Sequence, residues 1–162
     1  MKAYAPGHAD TREFTEFSDL AELIEENPAQ VYVIVAHGDK QDHKIWGSAD
    51  TNWEGERLGI SAPEFGLALR MPKWANCVVL MGCCYSGTDD WLESLKRSGA
   101  AAVVAPIGSD TISVGEIIEN YGTFLRNLAR NQSGRDNSDL VPTLFRESFT
   151  DSFRSKATIW PA

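Results

Sequence analysis

Cysteine is scarce in this chain of 162 residues, which has three, at positions 77, 83 and 84. Two of them are neighbours, and such a set does not form the framework of disulfides that holds small secreted domains together. The first residues, MKAYAPGHADTREF, contain no apolar segment of the kind that signal peptides carry. These absences predict a reduced, cytoplasmic setting.

Positive charge and long apolar runs are also in short supply. Lys and Arg number 15 against 23 Asp and Glu, which gives a formal net charge of -8. Nucleic-acid surfaces need clustered basic residues, so we expect no nucleic-acid partner. No apolar run approaches the ~20 residues that cross a bilayer, so we expect no membrane association. Hydrophobic residues still make up 43% of the chain, which predicts a single globular domain, 1–162.

Short apolar segments alternate with helical patterns along the chain. Three segments are apolar at almost every position and have the composition of strands: 31–36, 77–81 and 100–105. Such strands are typical of a parallel sheet with both faces covered. Helical spacing or capping signals mark 12–27, 61–70, 88–99, 112–131 and a segment starting near Pro142, and a last strand is expected at 157–160. The order predicts a three-layer α/β domain, a mostly parallel central sheet with helices on both faces.

Two of the predicted strands end in residues that can do chemistry. His37 closes the segment VYVIVAHG, and Cys84 lies in VVLMGCCYSG. Function in parallel sheets gathers beyond the carboxyl ends of the strands, so we expect both side chains at one edge. An imidazole beside a thiol can take its proton and later return one to a leaving amine. A helix that starts after Thr88 directs its positive end toward the same turn, which favours the thiolate.

The glycines and the other cysteines near this turn have simpler interpretations. Gly38 lacks a Cβ, so its backbone can approach a substrate carbonyl closely, and the amides of Gly38 and Cys84 are candidate donors to an oxyanion. Cys77 lies in the apolar run CVVLM, and strand alternation points Cys83 away from Cys84. Because free cysteine is among the most buried residue types, we expect Cys77 and Cys83 to be core residues.

These motifs together resemble a known family. VYVIVAHG, followed 84 − 37 = 47 residues later by Cys84, is similar to the caspase-like fold of clan CD cysteine peptidases, whose histidine lies about 50 residues before the cysteine. The caspase pentapeptide is absent, and Cys84-Tyr85-Ser86-Gly87 is closer to metacaspases and to the CHAT branch related to separases. The segment WLESLKRSGAAAVVAPIG also resembles the CHAT pattern of helix, Gly-Ala, apolar strand and loop.

The resemblance implies a cysteine endopeptidase that cleaves a protein substrate with a His/Cys dyad. It implies His37 as general base and acid, Cys84 as nucleophile, and the amides of Gly38 and Cys84 as oxyanion donors. Metacaspases have an acidic residue two positions before the nucleophile, where this chain has Gly82. Asp110 is a candidate to bind the substrate in its place, or else it caps a helix. No cofactor or metal is implied, and small chains of this kind often work beside an activating partner protein.

Two alternatives stay open at this level. One is a catalytically inactive caspase-like module that binds or regulates a partner, because a fold does not guarantee activity. Keeping both His37 and Cys84 weakens that alternative. The other is a metal site made by His37, Asp39, Asp42 and His43 with Cys84, although their spacing matches no known ligand motif.

Overall fold

The structure is a computed structural model that describes residues 22, 24, 26, 29–41, 43–46, 59–63, 77–107, 112–131 and 137–161. The strands bounded within these residues are Val31–Val35 (β1), His37–Gly38 (β2), Ile45–Trp46 (β3), Val78–Gly82 (β4), Ala102–Pro106 (β5) and Ala157–Trp160 (β6). The helices bounded within them are Asp89–Arg97 (α1), Val114–Asn131 (α2), Asn137–Ser148 (α3) and Asp151–Lys156 (α4). Glu22, Ile24 and Glu26 are helical, as the pattern over 12–27 predicts.

Four of the strands form one sheet in the order β1-β4-β5-β6. β1 pairs parallel to β4, with Val35 opposite Gly82, and β4 pairs parallel to β5, with Leu80 opposite Val104. β6 pairs antiparallel to β5. The prediction of an α/β fold with a mostly parallel sheet is confirmed.

Residues of β4 alternate between two hydrophobic cores, one on each face of this sheet. Val79 and Met81 pack in the first core with residues of α1, while Val78 and Leu80 pack in the second with α2, α3 and α4. All four side chains are fully buried. Burying an aliphatic side chain stabilises a fold by about 1.5–3 kcal/mol, so a polar residue is disfavoured at each of these positions. Helices therefore flank the sheet on both faces.

Strand β1 departs from the expectation that it is buried on both faces. Ile34 is buried in the first core, but Val33 and Val35, on the opposite face, are 42% and 47% exposed. β1 ends the strand order, and the second core joins α2 to residues of β4 and β5. β1 is therefore apolar on both faces although only one of them is buried. The prediction that it is buried on both faces is wrong.

Helix α1 begins directly after the turn that carries Cys84. Thr88 occupies the N-cap position, which its residue type favours, with extended backbone (φ -77°, ψ 159°), but its side chain makes no capping hydrogen bond. Asp89 and Asp90 in the first turn complement the helix dipole. Gly99, with φ 100°, follows the helix end, as the sequence predicts.

The end of the chain differs from the sequence expectation in one boundary. Helix α3 begins at Asn137, before Pro142, which therefore lies inside the helix rather than at its start. Thr150 caps α4 by accepting a hydrogen bond from the backbone N–H of Phe153, and β6 follows at once. Among the described residues, no helix combines the length and the apolar character needed to cross a membrane.

Candidate active site

Cys84 lies in a tight turn between β4 and α1. The carbonyl of Cys83 accepts hydrogen bonds from the backbone N–H and the hydroxyl of Ser86, at 3.3 and 2.6 Å. Tyr85, inside this turn, has φ 62°, a left-handed conformation that costs a bulky residue about 1–3 kcal/mol. Cys84 is partly exposed at this turn. A strained, hydrogen-bonded turn at a strand end is a common way to present one side chain to a substrate.

Gly87 attaches the same turn to the end of β5. Its N–H donates to the carbonyl of Pro106 at 2.6 Å, and a Cβ at position 87 would lie 2.4 Å from that oxygen. Only glycine allows two backbones to approach so closely. The cysteine turn is therefore fixed to the sheet on both sides, by β4 before it and by β5 beside it.

His37 belongs to a small hairpin made by β2 and β3. The N–H of Asp39 donates to the carbonyl of Lys44 at 2.9 Å, and the carboxylate of Asp39 accepts from the N–H of Gln41 at 2.6 Å, which closes the connection. The outer side of β3 makes two backbone hydrogen bonds with Ile60 through Ile45. The hairpin lies at the start of a polar segment, 39–59, of which residues 42 and 47–58 lie outside the described residues.

The histidine hairpin and the cysteine turn are in direct contact. A Cβ added to Gly38 would lie 1.8 Å from the carbonyl oxygen of Cys84 and 3.0 Å from its backbone nitrogen. The two residues expected to donate to an oxyanion are therefore neighbours in space. His37 is exposed and Cys84 is partly exposed at this contact.

Trp46 is a contributor to this site that the sequence did not single out. Its indole stacks on the imidazole of His37, with ring centroids 5.8 Å apart and planes inclined by 20°. The two residues are opposite each other in the β2–β3 pairing. Because the indole is itself buried, it restricts the orientation of an otherwise exposed imidazole. The sequence shows an aromatic residue at position 46, but only the register of the hairpin shows that it stacks on His37.

The three cysteines have different environments, and all are free. Cys77 and Cys83 are 1% and 0% exposed, which confirms the prediction that they belong to the core. Burial raises the pKa of each thiol to about 12, so both stay protonated at neutral pH. The thiol of Cys83 points at the carbonyl of Ile34, 3.6 Å away. Cys84 is the cysteine that a dissolved reagent can reach.

Two of the sequence hypotheses involve residues outside the described part of the chain. Asp110, the candidate for substrate binding, lies outside them, as does Asp42 of the metal-site alternative. Within the described part of the chain, no three His, Cys, Asp or Glu side chains gather as metal ligands would. A Cβ at Gly82 would lie 2.9 Å from Val35 Cγ2, 3.3 Å from the carbonyl oxygen of Ile34 and 3.4 Å from Ile117 Cδ1, so its nearest neighbours are uncharged.

The assembled geometry suits acyl transfer. The backbones of Gly38 and Cys84 are in contact, and His37 and Cys84, which carry an imidazole and a thiol, are exposed and partly exposed residues. These are the groups that nucleophilic attack on a carbonyl requires. No protein-family model matches the chain, and none of the curated proteins matches it.

Proposed function

We propose that the protein is a cysteine endopeptidase with a caspase-like fold, in which His37 and Cys84 form the catalytic dyad. The observation that carries the proposal is the backbone contact between Gly38 and Cys84. The sheet register supports it, because Val35 is opposite Gly82 and the two proposed catalytic residues each lie two positions further along. The histidine and the cysteine thus leave neighbouring parallel strands at the same level.

The proposed reaction follows from these groups. The sulfur of Cys84 attacks the scissile carbonyl carbon while His37 takes the thiol proton. The negative charge that develops on the carbonyl oxygen is stabilised by the backbone amides of Gly38 and Cys84. His37 then gives the proton to the leaving amine, which releases one half of the substrate and leaves a thioester on Cys84. A water molecule, deprotonated by His37, hydrolyses the thioester and restores the thiol.

The proposed substrate is another protein, presented as an extended segment at the carboxyl edge of the sheet. Asp110 remains the candidate for binding a basic side chain of that segment. The surroundings of Gly82, where Val35 and Ile117 lie, supply no charge for that purpose. The proposal places the enzyme in the cytoplasm, without a cofactor and with an activating partner protein.

Selective alkylation tests the dyad. The wild-type protein is treated with iodoacetamide near neutral pH and the label is mapped by mass spectrometry. We expect label on Cys84, none on the buried Cys77 and Cys83, and a large loss of Cys84 labelling in His37→Ala. Cleavage of a peptide library should persist in Cys83→Ala and disappear in Cys84→Ala. Labelling of Cys84 that is absent, or unaffected by His37→Ala, would end the peptidase proposal.

A second candidate function, a non-catalytic binding module, is favoured by exposed apolar side chains. Val33 and Val35 on β1 are 42% and 47% exposed, and Val114 and Ile118 on α2 are 60% and 42% exposed. Contiguous apolar surface marks interaction sites in soluble proteins, and these exposed side chains are the candidates for such a surface. The alkylation experiment separates the candidates, because a binding module has no need for a histidine that activates Cys84.

A further inference from the structure

Trp91 connects the two halves of the proposed site. It lies in the first turn of α1, just after the cysteine turn, and its side chain is fully buried. Its indole Nε1–H donates to the backbone carbonyl of His43 at 2.6 Å. This hydrogen bond joins segments 48 residues apart in the sequence, one following Cys84 and the other following His37.

The acceptor lies at the far end of the histidine hairpin. His43 is in the connection between β2 and β3, next to Lys44, whose carbonyl accepts from Asp39. The backbone of His43 has φ 50°, so the direction of its carbonyl is set by an unusual local conformation. Because the Asp39–Lys44 bond closes this connection, a hydrogen bond to the carbonyl of His43 restrains the whole hairpin and not His43 alone.

The donor is equally well fixed. Helix α1 starts at the end of the cysteine turn, and its first turn is closed by the bond from the N–H of Leu92 to the carbonyl of Thr88 at 3.0 Å. Trp91 packs in the first core together with Ile34, Ile45 and Cys83. The indole N–H is thus held in place by the same helix that begins at the turn.

The two contacts differ in what they constrain. The approach of Gly38 to Cys84 and the packing of Ile45 in the first core hold the strands of the hairpin against the rest of the fold. The bond from Trp91 to His43 holds the connection at the other end of the hairpin. The tilt of the hairpin sets the position of His37 relative to Cys84.

We propose that Trp91 is a positioning residue: its indole N–H sets the orientation of His37 toward Cys84 through the hairpin. This inference rests on the proposed function, because positioning has a measurable consequence only if His37 activates Cys84. Reaction rates respond strongly to such geometry, and a displacement of 1 Å can lower a rate by about 100-fold.

The test compares Trp91→Phe with the wild type and with His37→Ala. Phenylalanine keeps an aromatic ring in the core and removes the N–H donor. The readout is the rate of Cys84 alkylation by iodoacetamide across a pH series, together with kcat and KM for a cleaved peptide. We expect a fall of about 10-fold or more in the alkylation rate at neutral pH. The pH profile should approach that of His37→Ala, and kcat should fall more than KM rises.

The matched control is Trp160→Phe. Trp160 packs against the same first core from β6, where Lys96 lies over its ring at 5.4 Å. This variant loses the same chemical group in the same core, so it should lower the melting temperature without changing the alkylation profile. If Trp91→Phe does not fold, benzothienylalanine at position 91 replaces it, because that residue keeps the bicyclic shape and has sulfur in place of the N–H.

The outcomes separate this inference from the proposed function. If wild-type Cys84 shows no reactivity that depends on His37, the proposed function fails, and the positioning role fails with it. If the wild type has His37-dependent reactivity and the folded position-91 variant keeps the full profile, the proposed function stands. In that case Trp91 is a packing residue only, and the inference is overturned.

Discussion

Replacing Gly38 with alanine adds one methyl group where the histidine hairpin meets the cysteine turn. The new Cβ would lie 1.8 Å from the carbonyl oxygen of Cys84 and 2.7 Å from its carbonyl carbon. Since Cβ atoms essentially never approach another heavy atom below 3.0 Å, the two segments must separate by at least 3.0 − 1.8 = 1.2 Å. Both obstructing atoms belong to the main chain, so no side-chain rotation relieves the clash.

The expected loss follows from this displacement. Movement of a catalytic group by about 1 Å can lower a rate by about 100-fold, so Gly38→Ala should reduce Cys84 alkylation and peptide cleavage by that order. Forcing extra volume into a packed contact costs about 1–3 kcal/mol in the free energy of unfolding. Urea unfolding and the alkylation rate, measured on the same preparation, give both quantities.

Gly122→Ala provides the control for this experiment. Gly122 lies inside α2, and the nearest atom to a Cβ there is Arg126 Nη1 at 3.7 Å, an ordinary contact. Alanine should stabilise this helix by about 0.5–1 kcal/mol and leave the alkylation rate unchanged. If Gly38→Ala instead is alkylated at the wild-type rate, the close approach of the two backbones does not exist in solution. The proposed dyad of His37 and Cys84 then loses the contact on which it depends.

Two further predictions concern the support of the fold. Hydrogen bonds from the backbone N–H of Ser113 and from Lys156 lower the pKa of Glu116 to about 2 in the folded protein. The pKa in the unfolded chain is about 4.3. The stabilisation is therefore present above pH 4.3 and is lost as the pH falls toward 2. Urea unfolding at pH 7, 4 and 3 should therefore show a weaker pH dependence in Glu116→Gln, and equal slopes in the two proteins would contradict the pairing. The buried hydroxyl of Tyr121 donates to the carbonyl of Met81 at 2.5 Å, so Tyr121→Phe should lower the free energy of unfolding by about 1 kcal/mol. An unchanged urea midpoint would show that this bond contributes nothing.

The sheet was predictable because its central strands are buried on both faces. Where burial is complete, as in β4 and β5, every position must be apolar, and a continuous apolar run is visible without any knowledge of the fold. The same rule placed His37 and Cys84 after two such strands, while the strand order that makes β1 and β4 neighbours comes from the structure. β1 shows the limit of that rule, because Val33 and Val35 are as apolar as buried residues while about half exposed.

The contacts that orient the site were not predictable in the same way. The stacking of Trp46 on His37 depends on hairpin register, and the bond from Trp91 to His43 depends on how α1 packs beside the hairpin. Neither contact leaves a periodic pattern in the sequence. Thr88 illustrates the opposite error: its residue type favours capping, yet its buried hydroxyl has no hydrogen-bond partner among the described residues.

The attachment of Gly87 to Pro106 has a consequence for the order in which the protein matures. Pro106, which holds the turn, is opposite Ala157 in the antiparallel pairing of β5 with β6. Ala157 is translated 157 − 84 = 73 residues after Cys84. At 5–20 residues per second, the ribosome needs roughly 4 to 15 s to cover that interval. A nascent chain therefore carries its cysteine for seconds before the sheet beside it is complete.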